Sequence, residues 1–388
     1  MRAQSRAWAR MRFRSQSVPE PEVLGRRALG RALLERQLLL RRADTAVPEA
    51  VEHLLGLQAQ ALTPPYYGLW SRLEGFNEHE LGRMLVDREA VRLRLMRGTV
   101  HLVTVRDALL LRPLVQVVVE RGHNGAFRRR MGGADVDLLQ STVDELLSDG
   151  PLSARELARR LVERGIGDDV EAIGNATIAY SPLVQIPPRG VWGAAGAAKY
   201  ATIKAWTGRE LEHEPSIDAV ALRYLGAFGP ASVMDMQNWS GLTKLTAVFE
   251  RLRSRLVTFR DEDGKELFDL PEAPRPGPDV AAPVRFLGQF DNVLLGHADR
   301  RRIIPEDFPI ERMVSQGRFV NHALVDGVLR ATWWIERETR RRAVLAVRAF
   351  PKLSAPERAE TALEAQRMID FAASDAEIRD VRFEPEVS

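Results

Sequence analysis

The sequence predicts an α+β chain of tandem winged helix-turn-helix units followed by a small, β-rich C-terminal domain. Three observations predict it. Helical apolar stripes that end in alternating, hairpin-like segments recur along residues 23–272. A run with five prolines interrupts the chain at 271–283. Beyond it, from residue 284 onward, short strand-like runs dominate.

The first unit spans 23–105. Leu24, Ala28, Leu29, Ala32 and Leu33 recur at helical spacing. Pro48 suits the first turn of a second helix, expected to reach Gln60 and to carry Ala50, Val51, Leu54 and Leu55 inward. Pro64 and Pro65 cannot continue it. A third helix follows Glu74 and Gly75, with Leu81, Met84 and Leu85 inward; residues 91–104 then alternate as a hairpin broken at Gly98.

The second unit, 106–208, is expected to open with a linking helix at 106–121 and to continue with helices at 136–147 and 154–164. Ser153, with Glu156 three residues on, forms a capping-box pattern before the last of these. Gly-rich residues 181–200, around Trp192, are its expected wing. The third unit, 209–272, is the clearest. A helix at 217–227, a Gly229-Pro230 turn, Ser232 capping 233–239, a helix at 242–252 and a hairpin turning at Asp263-Gly264 follow in order. Residues 273–283 read as a Pro-rich linker. Strands at 284–287, 320–324, 327–336 and 343–350, with a helix at 356–373, make up the closing domain, 284–388. The three units are equated by element order, since no close sequence repeat is visible.

Composition narrows the chemistry. The 388 residues include no cysteine, which excludes disulfides, thiolate nucleophiles, iron–sulfur clusters and cysteine-held zinc. The seven histidines show no ligand spacing, so neither a metal nor any other cofactor is expected. No Walker A loop, G-x-G-x-x-G, H-E-x-x-H or nucleophile elbow is present. No apolar run approaches a membrane span and no secretory signal opens the chain, so a cytoplasmic monomer is expected. The formal net charge is only +3, but residues 1–42 hold eleven arginines against three acids. Residues 1–22 read as a basic, flexible arm able to neutralise phosphates. A plainer cause exists, because only five of the 56 basic residues are lysine, a bias that raises arginine everywhere.

Three segments carry a resemblance: LLGLQAQALTPPYYGLWSRLEGF (54–76), LMRGTVHLVT (95–104) and FLGQFDNVLLGHADRRRII (286–304). In this order they resemble the AlkZ-type winged-helix DNA glycosylases. The resemblance implies three winged helices in a C-shaped arrangement, a small barrel-like β-domain and a metal-independent enzyme. It also implies a catalytic Gln-x-Gln motif, here Gln58-Ala59-Gln60, and a role in self-resistance to DNA-crosslinking natural products. The implied partner is double-stranded DNA carrying alkylated purines, with N7-alkylated purines and interstrand crosslinks as the lesions. Physically, residues two apart on an α-helix point about 200° apart, so Gln58 and Gln60 can face one groove only where the backbone leaves helical geometry. A frayed helix end or the loop after it would satisfy that. The bland reading of such a pair is a solvent-facing or capping role.

Other residues are candidates for DNA contact. Arg94, Arg97 and His101 alternate with apolar neighbours on the first hairpin, so they face either DNA or a polar wing surface. His297, Asp299, Arg300, Arg301 and Arg302 lie in GHADRRR, where arginine forks suit phosphate oxygens. The alternative there is a solvated turn with a satisfied histidine. Of Trp333 and Trp334, adjacent on a strand, one is expected in the core. The competing functional readings are a non-catalytic winged-helix transcription regulator, with 233–239 as its recognition helix presenting Asp235, and a protein that only sequesters lesions.

Overall fold

The computed structural model describes residues 21–315, 318–339 and 341–385. The expected basic arm at 1–22 lies almost wholly outside them. Within them the architecture is mixed α+β. Strand β1 (Val23–Leu24) leads into α1 (Arg26–Arg36), which buries Leu29, Ala32 and Leu33. α2 (Val47–His53) accepts Pro48 in its first turn, as expected, but stops well before Gln60. Leu55 and Gly56 take φ values of 56° and 87°, which end the helix, and the chain straightens into β2 (Leu57–Gln58). Pro64 and Pro65 do not mark a loop. They open α3 (Pro64–Arg72), where the missing N–H would have had no intrahelical partner. α4 (Glu78–Val86) follows, capped by Asn77, and β3 (Ala90–Arg94) pairs antiparallel with β4 (Val100–Thr104).

The expected linking helix divides at Val115 into α5 (Val105–Leu114) and α6 (Gln116–Phe127). α7 (Val136–Ser148) and α8 (Ala154–Glu163) form where the sequence places them, the second with its capping box closed. α9 (Val170–Tyr180) forms where no helix is expected. Its Gly174, Thr177 and Ile178 weaken intrinsic helix propensity, and burial of Ala172, Ile173, Ala176 and Ala179 against α7 and α8 decides instead. β5 (Leu183–Gln185) and β6 (Tyr200–Thr202) flank the Trp192 loop. They pair with each other antiparallel, and β5 also pairs with β3, so the strands run β2-β4-β3-β5-β6 in one sheet that joins residues 57–104 to 183–202.

The short α10 (Ile203–Thr207) leads to α11 (Ile217–Phe228), α12 (Val233–Ser240) and α13 (Thr246–Leu252). β7 (Val257–Asp261) and β8 (Glu266–Asp269) then form the expected hairpin, and β1 joins β7 in parallel. Ser232 caps α12 reciprocally with Asp235, which is buried instead of presented to solvent; the residues that α12 exposes are Met234 and Asn238.

Past the Pro-rich segment come β9 (Arg285–Leu287), α14 (Asn292–Leu295), the short pair β10 (Val314–Ser315) and β11 (Arg318–Phe319), and β12 (Asn321–Val325). β13 (Val328–Arg337), β14 (Arg342–Ala349), α15 (Ala355–Ala372) and β15 (Ile378–Phe383) complete the chain. The strands run β15-β14-β13-β12-β9, so this is an open sheet with two edges and not a closed barrel. α15 packs Ala365, Met368 and Ile369 onto one face of it. Strand alternation sends Trp333 into that core, its Nε1 donating to the carbonyls of Leu287 and His322, and leaves Trp334 outside beneath Arg348.

Candidate active site on the shared sheet

The site begins with a turn only glycine can make. Gly56 has φ of 87°, and a Cβ there would stand 2.3 Å from Val103 Cγ1 and 2.8 Å from the Leu102 carbonyl oxygen. This close approach lets β2 dock on β4, Leu57 opposite Leu102 and Gln58 opposite His101. The Ala59 N–H extends the pairing by bonding the Val100 carbonyl at 2.7 Å. Leu57 and Ala59 enter the core with Tyr66, Leu69 and Leu102, so Gln58 projects from the opposite face of the sheet, on the side of His101 and Leu93. Gln58 therefore sits on a short strand and Gln60 in the bend after it, not on a frayed helix end. Gln58 is buried, Gln60 is exposed, and among the described residues no hydrogen bond joins them.

Gln58 has one strong partner. Arg97 Nη2 donates to its Oε1 at 2.7 Å, while Arg97 Nη1 donates to the Trp239 carbonyl at the end of α12. A guanidinium has no acceptor, so the amide oxygen must face Arg97 and the amide NH₂ must point away from it. Arg97 occupies the tight β3–β4 turn with φ of 55°, wedged against α6 and α12. Burial pushes its guanidinium down to about 10, which leaves it charged at neutral pH. His101 is turned away from solvent. It is 2% exposed, its Nδ1 lies 3.0 Å from the Thr99 carbonyl, and burial, followed by repulsion from Arg97, drives its pKa down to about 3.

The other face of the sheet carries a cavity of about 210 Å³. Gln60, Arg92, Arg94, Gln185, Arg189 and Tyr200 supply its polar lining, and no carboxylate lines it. Among the described residues none of Arg92, Arg94, Arg97 and Arg189 is within ion-pair reach of an acid. The contrast is with Arg36, Arg72 and Arg223, whose charges are met by Asp269, Asp291 and Asp107. Arg92 is 1% exposed; Nη2 donates to the Ala59 carbonyl at 2.8 Å, and Nη1 has no partner. Burial, with Arg189 adding to it, brings Arg92 down to about 10. Sequence inspection misses Arg92 and Arg189: on a strand, Arg92 reads as a solvent-facing residue, and Arg189 lies far off in the chain.

The segment 286–304 acts at this site by clamping it. Asn292 Nδ2 donates to the carbonyls of Gly56 and Leu54 at 3.0 and 3.2 Å. Asp291 takes a two-pronged bond from Arg72 of α3, at 2.7 and 2.9 Å with both side chains buried. Gly288 lies so close to Pro64 that a Cβ would come within 2.8 Å of its backbone. The first and third resembling segments are thus two halves of one packed unit.

GHADRRR is placed differently from expectation. His297 is buried with Nε2 at 2.9 Å from the Phe228 carbonyl, and burial, then Arg302, lowers it to about 3. Arg302 is buried and donates to the Pro230 carbonyl at 2.8 Å. Both side chains are turned inward onto backbone carbonyls. Arg301 grips Asp299, whose carboxyl it holds down at about 2, and also meets Asp263. That grip answers the charge of the Asp261, Asp263 and Asp299 cluster. Arg300 is exposed. Among the described residues no helix is long and apolar enough to cross a membrane.

Comparison with known proteins identifies the family. The model of the AlkZ-like DNA glycosylase family matches residues 51–371. The chain is 25% identical over 298 residues to the "Interstrand DNA cross-link repair glycosylase" of Streptomyces sahachiroi, covering 70% of this chain and 77% of that protein. The solved structure of Streptomyces sahachiroi DNA glycosylase AlkZ superposes with a TM-score of 0.72 at 22% identity, covering 93% of this chain and all of the other. The chain belongs to the AlkZ-like DNA glycosylase family.

Proposed function

We propose that this chain is a monofunctional DNA glycosylase that hydrolyses the N-glycosidic bond of N7-alkylated purines. Bulky adducts and interstrand crosslinks from a DNA-alkylating natural product are the substrates that suit it, in repair or self-resistance. We read its three helix-and-hairpin units as winged helices set in a C around duplex DNA. The observation that carries the reading is the Gln58-Ala59-Gln60 segment, with Gln58 fixed by Arg97 and three further arginines, Arg92, Arg94 and Arg189, that no acid pairs among the described residues.

A purine alkylated at N7 is already cationic, so it leaves without being protonated. The C1′–N9 bond breaks with its electron pair going to the base, which becomes neutral. Water adds to C1′ and releases its proton to solvent. What the protein must supply is position and an electrostatic setting for an oxocarbenium-like sugar. Gln58, its oxygen held by Arg97, offers N–H donors and one remaining lone pair in fixed directions. Gln60, exposed in the bend after β2, orients water. Neither amide is a base at neutral pH.

The test is incubation with duplex DNA bearing a single N7-alkylguanine, followed by detection of the free base and of an abasic site. The reading predicts both products. Tight binding with neither product, on this duplex and on an N7-crosslinked one, would instead identify a lesion-sequestering protein or a regulator.

A further inference from the structure

The cavity beside Gln60 is a cationic recess with no carboxylate of its own. Arg92, Arg94 and Arg189 line it together with Gln185 and the Tyr200 hydroxyl, and one aromatic ring is present, that of Tyr200. A pocket built for an extruded base offers flat faces for stacking. This one offers forked donors, which match phosphate oxygens.

Its parts are held in place. Arg189 follows Pro188 on the loop before Gly190, whose φ of 93° and missing Cβ let the loop lie against Arg92 Cδ. The Tyr66 hydroxyl bonds the Gly190 carbonyl at 2.7 Å, and Trp192 packs on Tyr66, Tyr67 and Phe371. Arg189 is therefore carried by an anchored loop. Arg92 lies deepest, almost fully buried, with Nη1 lacking any protein partner. Holding like charges this close without an acid is costly, and a bound anion removes the cost.

We propose that this cavity seats one phosphodiester group of the DNA backbone next to the lesion, with Arg94 and Arg189 as its outer grips and Arg92 as its floor. The proposal rests on DNA being the substrate and adds where one phosphate goes. Arg92 also donates to the carbonyl of Ala59, the residue between the two glutamines. One side chain thus ties the seated phosphate to the Gln58-Ala59-Gln60 strand, and the seat sets the register in which a glycosidic bond meets that strand.

The experiment is a double-mutant cycle between protein and DNA backbone. Duplexes carrying one neutral methylphosphonate at successive positions are bound to wild-type protein, Arg94→Ala, Arg189→Ala and the milder Arg189→Gln, by fluorescence anisotropy. Arg341→Ala, an exposed residue just ahead of β14 that does not line the cavity, controls for loss of one charge. Wild type is expected to lose about tenfold in affinity at one position, and the Arg94 and Arg189 variants to lose less than about twofold there. The salt dependence of binding by those variants is expected to fall by about one counterion. Additive losses at every position would overturn the proposal. So would a site that inorganic phosphate occupies while no backbone position couples to the arginines. This assay does not use base release, so it stands apart from the fate of the glycosylase reading.

Discussion

Arg97 holds Gln58: the guanidinium Nη2 lies 2.7 Å from the amide Oε1, and the same side chain is anchored on the Trp239 carbonyl. This relationship fixes the direction of an amide that would otherwise turn freely. It also joins the strand that carries the motif to α12, more than a hundred residues later in the chain.

Arg97→Ala is therefore expected to slow base release while leaving lesion binding largely intact. Losing one oriented donor array costs on the order of a hundredfold in rate. Arg97→Lys should recover part of it, because an ammonium can reach one carbonyl or amide oxygen but not bridge two. Single-turnover rates at saturating enzyme, set beside anisotropy, separate the two effects. Equal losses in binding and rate would show Arg97 acting on DNA directly.

Gly56→Ala should both destabilise the protein and lower activity. The added Cβ must displace Val103 or the Leu102 backbone, and a φ of 87° strains any L side chain. About 2 kcal/mol or more is expected from urea unfolding. A variant of unchanged stability would mean that β2 is more loosely docked than this register indicates.

Breaking the clamp should be severe. Asp291→Ala leaves Arg72 charged and buried without its partner, at a cost of about 3–5 kcal/mol. Arg72→Met combined with Asp291→Leu should cost clearly less than the sum of the single changes, measured by denaturant midpoints. Additive effects would contradict the pairing.

Buried histidines make stability depend on acid pH, and burial lowers His123 in the same direction as the three whose values follow. Burial lowers His101 and His297 to about 3 and His322 to about 4 in the folded protein, against about 6.5 unfolded. Between those values the unfolded chain binds more protons than the native one, so stability rises with pH through that window and is complete above it. As pH falls from about 6.5, each histidine removes at most about 1.4 kcal/mol per pH unit until its folded pKa is reached. The rate at saturating enzyme should nonetheless be flat from about pH 6 to 9, since glutamines do not titrate and Arg97 stays charged. A bell-shaped profile centred near neutrality would point to a general acid or base outside Gln58 and Gln60.

Sequence signals predict well wherever the cause is local. The Ser153 and Ser232 caps, the hairpin over 91–104 and the Asp263-Gly264 turn all arise from neighbours in the chain. Pro64 and Pro65 mislead because a proline pair suits a helix start as well as a helix stop, and only the downstream packing of Tyr66 and Leu69 decides between them. α2 reads too long because the apolar spacing persists through Leu57, while the left-handed turn at Leu55-Gly56 carries no strong signal beyond one glycine. GHADRRR looks like a phosphate grip because charge pattern alone does not show which arginines are spent on carbonyls indoors. Arg92 and Arg189 stay hidden for a related reason: β3 and the loop after β5 are brought together by the pairing of Arg92 with Gln185 and Leu93 with Val184, residues far apart in the chain.

The most direct test of the central claim compares wild type, Gln58→Ala and Gln60→Ala for release of N7-alkylguanine from duplex DNA, with binding to the same duplex measured alongside. The account predicts that wild type releases the base and that both variants lose release by a hundredfold or more, on the order of an oriented-group deletion, while binding changes little. Undiminished release by either variant would contradict the role given to that glutamine, and undiminished release by both would remove the strand from the chemistry altogether.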